Sequence, residues 1–361
     1  MSVNKIITIF AIKKCSMKES LVSVGIPVYN VELYIEKCLL SVFEQTYQNL
    51  EILIIDDCGS DSSMKIVSDL MHNHKQGNLI NVIRHQNNKG LGEARNTAID
   101  NANGDYIYFL DSDDFIENNT IEILLHEAEE YNADVVMASS RKILYGSGEE
   151  LPTFTYKSKE VLKGKDKFAE YLCQDLRWHI GINAWNNLFT IDFLRKNNLR
   201  FAARKDEDAL FLSDFYSEIE CAVLLPDVTY NYVIRPGSIM GNQARDRIPT
   251  QEIRERFITD SKMTERSLRL KNRSFYDVHC ARVVKHKFRA ACVALRHRHR
   301  FTEPLSNREI RQELKHPASF SQIVQFKRYR WFNLFFYTIS VLPPFLSVGI
   351  TYLVGKSIKW I

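Results

Sequence analysis

The stretch Gly104-Asp-Tyr-Ile-Tyr-Phe-Leu-Asp-Ser-Asp-Asp114 constrains the fold more than any other part of the chain. A turn glycine opens it. Asp105 to Leu110 then reads as a strand, and Tyr106, Ile107, Tyr108, Phe109 and Leu110 form an apolar run of the kind that is buried on both faces. Three carboxylates follow within four positions: Asp111, Asp113 and Asp114. Along a strand or tight turn Asp111 and Asp113 can point to the same side. Such a cluster repels itself unless a cation or solvent screens it. It is therefore either an exposed acidic turn, which Asp favours, or an oxygen-only ligand set for Mg²⁺ or Mn²⁺, ions that commonly hold phosphates.

The preceding chain favours the second alternative. Leu21 to Ile26 is a buried strand stopped by Pro27, and Pro27-Val-Tyr-Asn30 is a turn. Val31 to Gln45 is an amphipathic helix with Val31, Ile35, Leu39, Val42 and Phe43 on one face. Leu50 to Ile55 is a second buried strand, and Asp56-Asp57-Cys58-Gly59-Ser60-Asp61 is a polar turn that caps the next helix. A third strand spans Leu79 to Arg84, and Gly90-Leu-Gly-Glu-Ala-Arg-Asn96 opens another helix. After the Gly104 stretch come a helix from Asn118 to Tyr131 and a strand from Ala133 to Ser139. Strands that alternate with helices through short loops predict an α/β fold: a mostly parallel, Rossmann-like sheet with helices on both faces. Ligands of such sheets bind beyond the carboxyl ends of the strands. Asn30, Asp56, Asp57 and Asp111 to Asp114 all follow strand ends, so they converge on one edge.

The 361 residues are 45% apolar and 25% charged, enough for a large core with an appendage. The net charge of +4 hides an asymmetry. Residues 251–361 carry 22 Lys+Arg and 8 Asp+Glu, leaving 26 and 36 for residues 1–250. A basic tail on an acidic body points to an anionic partner surface. The seven cysteines are scattered and contain no Cys-x-x-Cys, which fits a reducing compartment and argues against a zinc site. The apolar run Ile6 to Ile12 is too short to cross a bilayer, and residues 1–20 are read as a lead-in.

Val22-Ser-Val-Gly-Ile-Pro-Val-Tyr-Asn30, Ile55-Asp-Asp-Cys-Gly-Ser-Asp61, Gly92-Glu-Ala-Arg-Asn96 and Asp111-Ser-Asp-Asp114 resemble, in order and spacing, the motifs of a family 2 glycosyltransferase with the GT-A fold, of the bacterial cell-surface polysaccharide type. Ala184-Trp-Asn-Asn-Leu-Phe189, Glu207-Asp-Ala-Leu-Phe211 and Tyr230-Asn-Tyr-Val-Ile-Arg-Pro-Gly-Ser238 extend the resemblance over residues 21–240. It implies an inverting transfer of a sugar from a nucleotide-sugar donor to the hydroxyl of a glycan or lipid-linked acceptor. It also implies residue roles. Pro27, Tyr29 and Asn30 would line the nucleotide pocket, with Asp56 and Asp57 at the base or ribose. Arg95 would face the phosphates. Asp111 and Asp113, the DXD motif, would hold a divalent cation, Mn²⁺ or Mg²⁺, with Asp111 also near the ribose. Asp208 would be the base, with Glu207 beside it, and Trp185 would border the acceptor. Two positions depart from the family pattern: Asn187 stands where Lys is frequent, and Asp206 where Gly is frequent.

The chemistry asks for the same parts. A diphosphate leaving group needs its charge neutralised, which a divalent cation and an Arg can do. An inverting displacement needs a carboxylate on the acceptor side. Asp206-Glu207-Asp208 opens a helix, where the dipole favours carboxylates, so from the residues alone capping and catalysis account for Asp208 equally well. A nucleotidyltransferase shares the sheet and the acidic site but wants a Gly-rich, Lys-containing loop after the first strand, and Pro27-Val-Tyr-Asn30 is no such loop. An inactive relative acting as a membrane assembly partner is the non-enzyme alternative, against which the intact Asp111, Asp113 and Asp208 weigh.

The expected organisation is a glycosyltransferase domain over 21–240, with a nucleotide half at 21–115 and an acceptor half at 116–240. A basic helical extension spans 241–330, and an apolar segment spans 331–361. Arg296-His-Arg-His-Arg300 lacks stacking aromatics and a metal-ligand pattern, so no nucleic acid partner is expected. Trp331 to Val354 has no charged residue and is flanked by Lys327, Arg328, Arg330, Lys356 and Lys359. Pro343-Pro344 breaks its middle, and basic residues stand on both sides, which disfavours a simple span. Two half-helices in the cytoplasmic leaflet are expected, attaching the protein to the inner face of the plasma membrane.

Overall fold

The structure, a computed structural model, describes residues 19–153, 155–177, 183–202, 206–235 and 246–361. The lead-in run Ile6 to Ile12 lies outside the described residues. In chain order the first elements are β1 (Val22–Val28), α1 (Ile35–Phe43), β2 (Leu50–Asp56), α2 (Ser63–Asn73), β3 (Ile80–Arg84), α3 (Leu91–Asn101) and β4 (Tyr106–Phe109). Next come β5 (Phe115–Ile116), α4 (Thr120–Tyr131), β6 (Val135–Leu144), β7 (Glu150–Leu151), β8 (Glu160–Lys163), α5 (Lys167–Leu172), β9 (Asn187–Thr190), α6 (Ile191–Lys196), α7 (Glu207–Phe215) and β10 (Cys221–Ile234).

The strands form one sheet in the order β3-β2-β1-β4-β9-β6-β10-β5, with β7 beside β6 and β8 beside β10. The block β3-β2-β1-β4 is parallel throughout. The expected parallel sheet is thus found in residues 22–109. Beyond β4 the sheet is mixed, because β9 runs antiparallel to both β4 and β6, while β6 and β10 are parallel. Side chains alternate between two cores, as a period of two requires. Leu53, Ile55, Ile107 and Phe109 face α3, α5, α6 and α7. Ile52, Ile54, Tyr108 and Leu110 face α1, α2 and α4.

Register fixes the functional edge. Val28 lies opposite Asp56, and Gly25 opposite Phe109, so the segments after β1, β2 and β4 leave the sheet side by side. The helix after β1 begins four residues later than its sequence pattern suggests. Asn30 adopts a left-handed backbone (φ 53°), which turns the chain before the helix can start.

The extension comprises α8 (Thr250–Ser267), α9 (Tyr276–Arg296), α10 (Asn307–Glu313), α11 (Phe320–Ile323), α12 (Arg330–Val341) and α13 (Pro344–Ser357). The core behind the sheet continues into it, through Leu270, Phe275, Tyr276, Val278, Ala318 and Ile323. A separate cluster of Phe288, Phe336, Ile339 and Val348 joins α9, α12 and α13. No described helix is long and apolar enough to cross a membrane.

Candidate active site

Arg95 is the centre of the site. The α3 helix carries its guanidinium into the interior, where it is fully buried. Its Nη2 donates to Asp111 Oδ1 at 2.8 Å, and its Nη1 donates to Asp208 Oδ1 at 2.6 Å. Glu207 Oε1 lies 3.5 Å from the same Nη1. Asp111 follows β4, whereas Glu207 and Asp208 open α7, more than ninety residues later. One buried cation therefore ties the sheet edge to the helix that the sequence assigns to the acceptor side. Burial works against the Arg95 charge, but Asp208, Asp111 and Glu207 outweigh it and hold the guanidinium above its usual range.

The carboxylates respond in the opposite sense. Burial lifts Asp111 to about 6; Arg95 opposes the rise, and Asp113 and Asp208 add to it. Burial, then the charge of Asp208, lifts Glu207 to about 7 against the pull of Arg95. Asp208 also accepts from Ala184 N–H at 3.3 Å, which joins it to the segment carrying Trp185.

Asp113 takes a different partner. Its Oδ2 accepts from Arg235 Nε at 2.7 Å, and the Arg235 guanidinium lies 4.8 Å from the ring centre of Tyr34. Asp114 is a support: its carboxylate accepts from Val233 N–H and from Tyr230 Oη, both at 2.7 Å. Burial and the charges of Asp113 and Asp111 push Asp114 well above the usual carboxylate range. Tyr230 in turn accepts from Asp111 N–H at 3.3 Å. Trp185 stacks on Tyr230 at 4.4 Å between ring centres and on Tyr232 at 5.6 Å. β10 thus fixes the acidic turn from below and supplies the stacking partners of Trp185. Tyr230 and Arg235 belong to the recognised Tyr230-to-Ser238 motif, but sequence alone assigned them no role. Their signal is an aromatic pair and a cation at the end of a strand.

The remaining candidates lie at the ends of β1 and β2. Pro27 is buried within β1, while Tyr29 is half exposed. Asn30 Oδ1 accepts from Ser60 N–H at 2.7 Å and so joins the two loops. Asp56 Oδ1 accepts from Cys58 N–H at 3.1 Å, and its Oδ2 lies 3.6 Å from Arg84 Nε. Asp57 is buried. Its Oδ1 accepts from Lys89 N–H and contacts His85 Nδ1, and its Oδ2 accepts from Gly90 N–H. What Asp57 shapes directly is the loop that leads into α3 and Arg95. The hydrogen bonds and ion pairs of Asn30, Asp56 and Asp57 go to these loops and not to the Arg95 cluster.

Four carboxylates, those of Asp111, Asp113, Glu207 and Asp208, share two guanidiniums, Arg95 and Arg235. Asp111 and Asp113 each hold an arginine through one oxygen, and carboxylate oxygens are the donor type that a hard divalent cation takes.

The glycosyl transferase family 2 profile matches residues 23–184. The chain is 32% identical over 231 residues to the glycosyltransferase GlyG of Streptococcus pneumoniae, covering 61% of this chain and 73% of GlyG. It is 33% identical over 226 residues to the glycosyltransferase GlyA of the same organism, covering 60% of this chain but only 31% of GlyA. The fold is similar to residues 1–349 of Staphylococcus aureus TarS, solved with UDP: the TM-score is 0.67 at 18% identity, with 94% and 91% of the two chains covered. That likeness extends over the helical extension as well as the sheet. With the motif order, the sheet and the clustered carboxylates, these similarities establish that the chain is a glycosyltransferase and belongs to family 2.

Proposed function

We propose that this enzyme transfers a sugar from a nucleotide-sugar to an acceptor hydroxyl with inversion at the anomeric carbon. The observation that carries this reading is the bridge from Arg95 to both Asp111 and Asp208. In this reading Asp111 serves the donor and Asp208 the acceptor, and the support for it is that one buried cation holds both carboxylates. Geometry held in this way is what a single displacement requires.

The nucleoside lies against Tyr29 and Asn30, which Pro27, buried in β1, supports from within the sheet, with Asp56 and the loop held by Asp57 beside it. Asp111 and Asp113 would hold Mg²⁺ or Mn²⁺, which supplies charge neutralisation for the diphosphate. Asp208 accepts the proton of the acceptor hydroxyl as its oxygen bonds to the anomeric carbon. The bond from that carbon to the diphosphate breaks on the opposite face, and the electron pair leaves with the nucleoside diphosphate. Glu207, lifted to about 7, adds less negative charge beside Asp208 than an ordinary glutamate would. Trp185, stacked on Tyr230 and Tyr232, offers a rigid apolar wall to the acceptor.

Residues 21–240 carry the reaction, 241–330 are its helical support, and 331–361 face a membrane. There the acceptor is a lipid-linked or cell-surface glycan precursor. The donor is sought with a panel of nucleotide-sugars, UDP-linked ones first because TarS was solved with UDP. The expected result is cation-dependent release of one nucleoside diphosphate, strongly reduced in Asp208→Asn. If no donor is bound or turned over with either cation, the chain is an inactive relative and the reading fails.

A further inference from the structure

The hairpin formed by α12 and α13 buries several polar side chains and exposes several bulky apolar ones. Asn333, Ser347 and Thr351 are fully buried, and Ser340 nearly so. Their side chains are used within the fold: Asn333 Oδ1 pairs with His316 Nε2 at 3.0 Å, Ser347 Oγ donates to Ile339 O at 2.7 Å, and Thr351 Oγ1 donates to Ser347 O at 2.8 Å. The outward stripe carries the bulky apolar residues instead. Trp331 is 75% exposed, Phe345 65% and Leu353 67%. Phe335, Leu346 and Tyr352 are each more than 40% exposed as well. On α13, positions 345, 346, 352 and 353 recur at helical spacing, so they share one face. A helix in water places such residues toward the core and its small polar residues outward. Here polar residues share the protein-facing side with Phe336, Ile339 and Val348, and the remaining bulky apolar residues are left for a medium other than water.

The orientation of the hairpin is fixed. Phe336, Ile339 and Val348 pack with Phe288 of α9. At Gly355 a Cβ would come within 2.7 Å of Cys292 Sγ, so α13 lies directly on α9. The stripe therefore cannot fold inward without dismantling this cluster.

Charge selects the occupant. From Lys315 to Ile361 the chain has no Asp or Glu. Lys327, Arg330, Lys356 and Lys359 are exposed around the hairpin, and the Arg330 guanidinium lies 5.4 Å from the ring centre of Trp331. Exposed aromatics bordered by basic residues match the headgroup boundary of an anionic bilayer. Helix length excludes crossing. At about 1.5 Å per residue, the 12 and 14 residues of α12 and α13 extend only about 18 and 21 Å, against a hydrocarbon core of about 30 Å.

We propose that the outward face of α12 and α13 docks the enzyme on an anionic lipid surface, entering the headgroup–acyl boundary without spanning it. This deepens the membrane-side reading given above and rests on it. The six side chains enter the lipid, and the basic residues at the hairpin ends pair with headgroup phosphates.

The test uses the full chain and vesicles of phosphatidylcholine with or without phosphatidylglycerol. The wild type should cosediment with the anionic vesicles, and salt should weaken that binding. The Trp331→Ser/Phe345→Ser/Leu353→Ser variant alters only exposed positions and should keep its unfolding midpoint. It should lose binding by roughly tenfold or more. Lys356→Glu/Lys359→Glu should weaken binding to anionic vesicles alone. Cation-dependent nucleotide binding should be unchanged in both variants, so a failure of docking is distinguishable from a failure of the glycosyltransfer reading. The proposal is overturned if the wild type binds neither vesicle, or if the triple variant binds as well as the wild type. It is also overturned if the wild type is a dimer without lipid and the triple variant a monomer, because the face is then an interface between copies.

Discussion

Arg95 and Asp208 are 113 positions apart, yet Nη1 donates to Oδ1 at 2.6 Å while the other terminal nitrogen holds Asp111. The α3 helix and the start of α7 are joined at this point by a guanidinium that has no access to solvent. The planar fork is what lets one side chain serve two carboxylates; a lysine ammonium is a point charge that can favour only one of them. Arg95→Lys should keep the fold and lose most of the activity. Arg95→Met should leave Asp111, Glu207 and Asp208 without their shared cation. Breaking a buried pair in this way costs about 3 kcal/mol or more. Chemical unfolding of the two variants, compared with donor turnover, separates the electrostatic from the geometric contribution. A Met variant as stable as the wild type would refute the account.

Asp208→Asn keeps the shape and hydrogen-bonding reach of the side chain but removes the proton acceptor. The Asn carbonyl can still receive the Arg95 bond, so the site should stay assembled. Donor affinity should be near normal while turnover falls about 10²-fold or more. Calorimetry with the nucleotide, run beside steady-state kinetics, checks both parts. An equal loss of affinity would make Asp208 part of the donor site instead.

The parallel half of the sheet was legible in the sequence, because buried parallel strands read as unbroken apolar runs and Pro27, Asn30 and Gly104 punctuate them. The glycine at 104 illustrates the limit of that signal. It reads as a turn residue, but what it supplies is space: a Cβ there would come within 2.6 Å of Ser23 Oγ and 2.7 Å of Leu21 O. The insertion of β9 between β4 and β6 was not legible, since Asn187–Thr190 is a four-residue strand whose partners lie far away in sequence. The grouping of Arg95 with Asp111 was within reach, because both follow from the carboxyl-edge rule. Its bond to Asp208 was not, because it depends on how α7 packs behind the sheet. Arg235 escaped assignment for a similar reason. Only the register of β10 against β5 and β6 places the strand's end beside Asp113. Pro343-Pro344 marks the break between α12 and α13 in the sequence itself, but which residues face outward is set by packing on α9.

Arg235 and a divalent cation should compete for Asp113. The Arg235 Nε–H donates to Asp113 Oδ2 at 2.7 Å, an ion pair with both side chains about four-fifths covered. Asp113→Ala should abolish cation-dependent nucleotide binding while leaving the Arg95 cluster intact. Arg235→Ala should raise the affinity for Mn²⁺ alone by a few-fold, because a charge-assisted bond no longer has to be displaced. Titration of each variant with Mn²⁺, without nucleotide, reads this directly. Equal affinity in Arg235→Ala and the wild type would show that the pair does not guard the carboxylate.

Two buried histidines of the extension give acid sensitivity a definite direction. His279 contacts Tyr216 Oη through Nδ1 and Ser267 Oγ through Nε2, and burial with the nearby Arg282 lowers its pKa to about 3. Burial lowers His316 to about 4, although the bonds to Asn333 and Ala318 oppose the fall. Both are neutral in the folded chain at pH 7, whereas in the unfolded chain they titrate near 6.5. Their contribution to stability is therefore complete above about 6.5, and it is lost as the pH falls toward 4 and 3. The loss approaches about 1.4 kcal/mol per pH unit for each histidine, because the unfolded chain takes a proton that the folded chain refuses. Carboxylates add their own pH dependence, but it is common to all variants. His279→Gln and His316→Gln should each lower stability at pH 7 through lost packing and hydrogen bonds. Each should also flatten the decline between pH 6.5 and 5. Urea unfolding across that range gives the slope for the wild type and both variants. A slope unchanged in both would mean that the histidines are charged within the fold, in conflict with their burial.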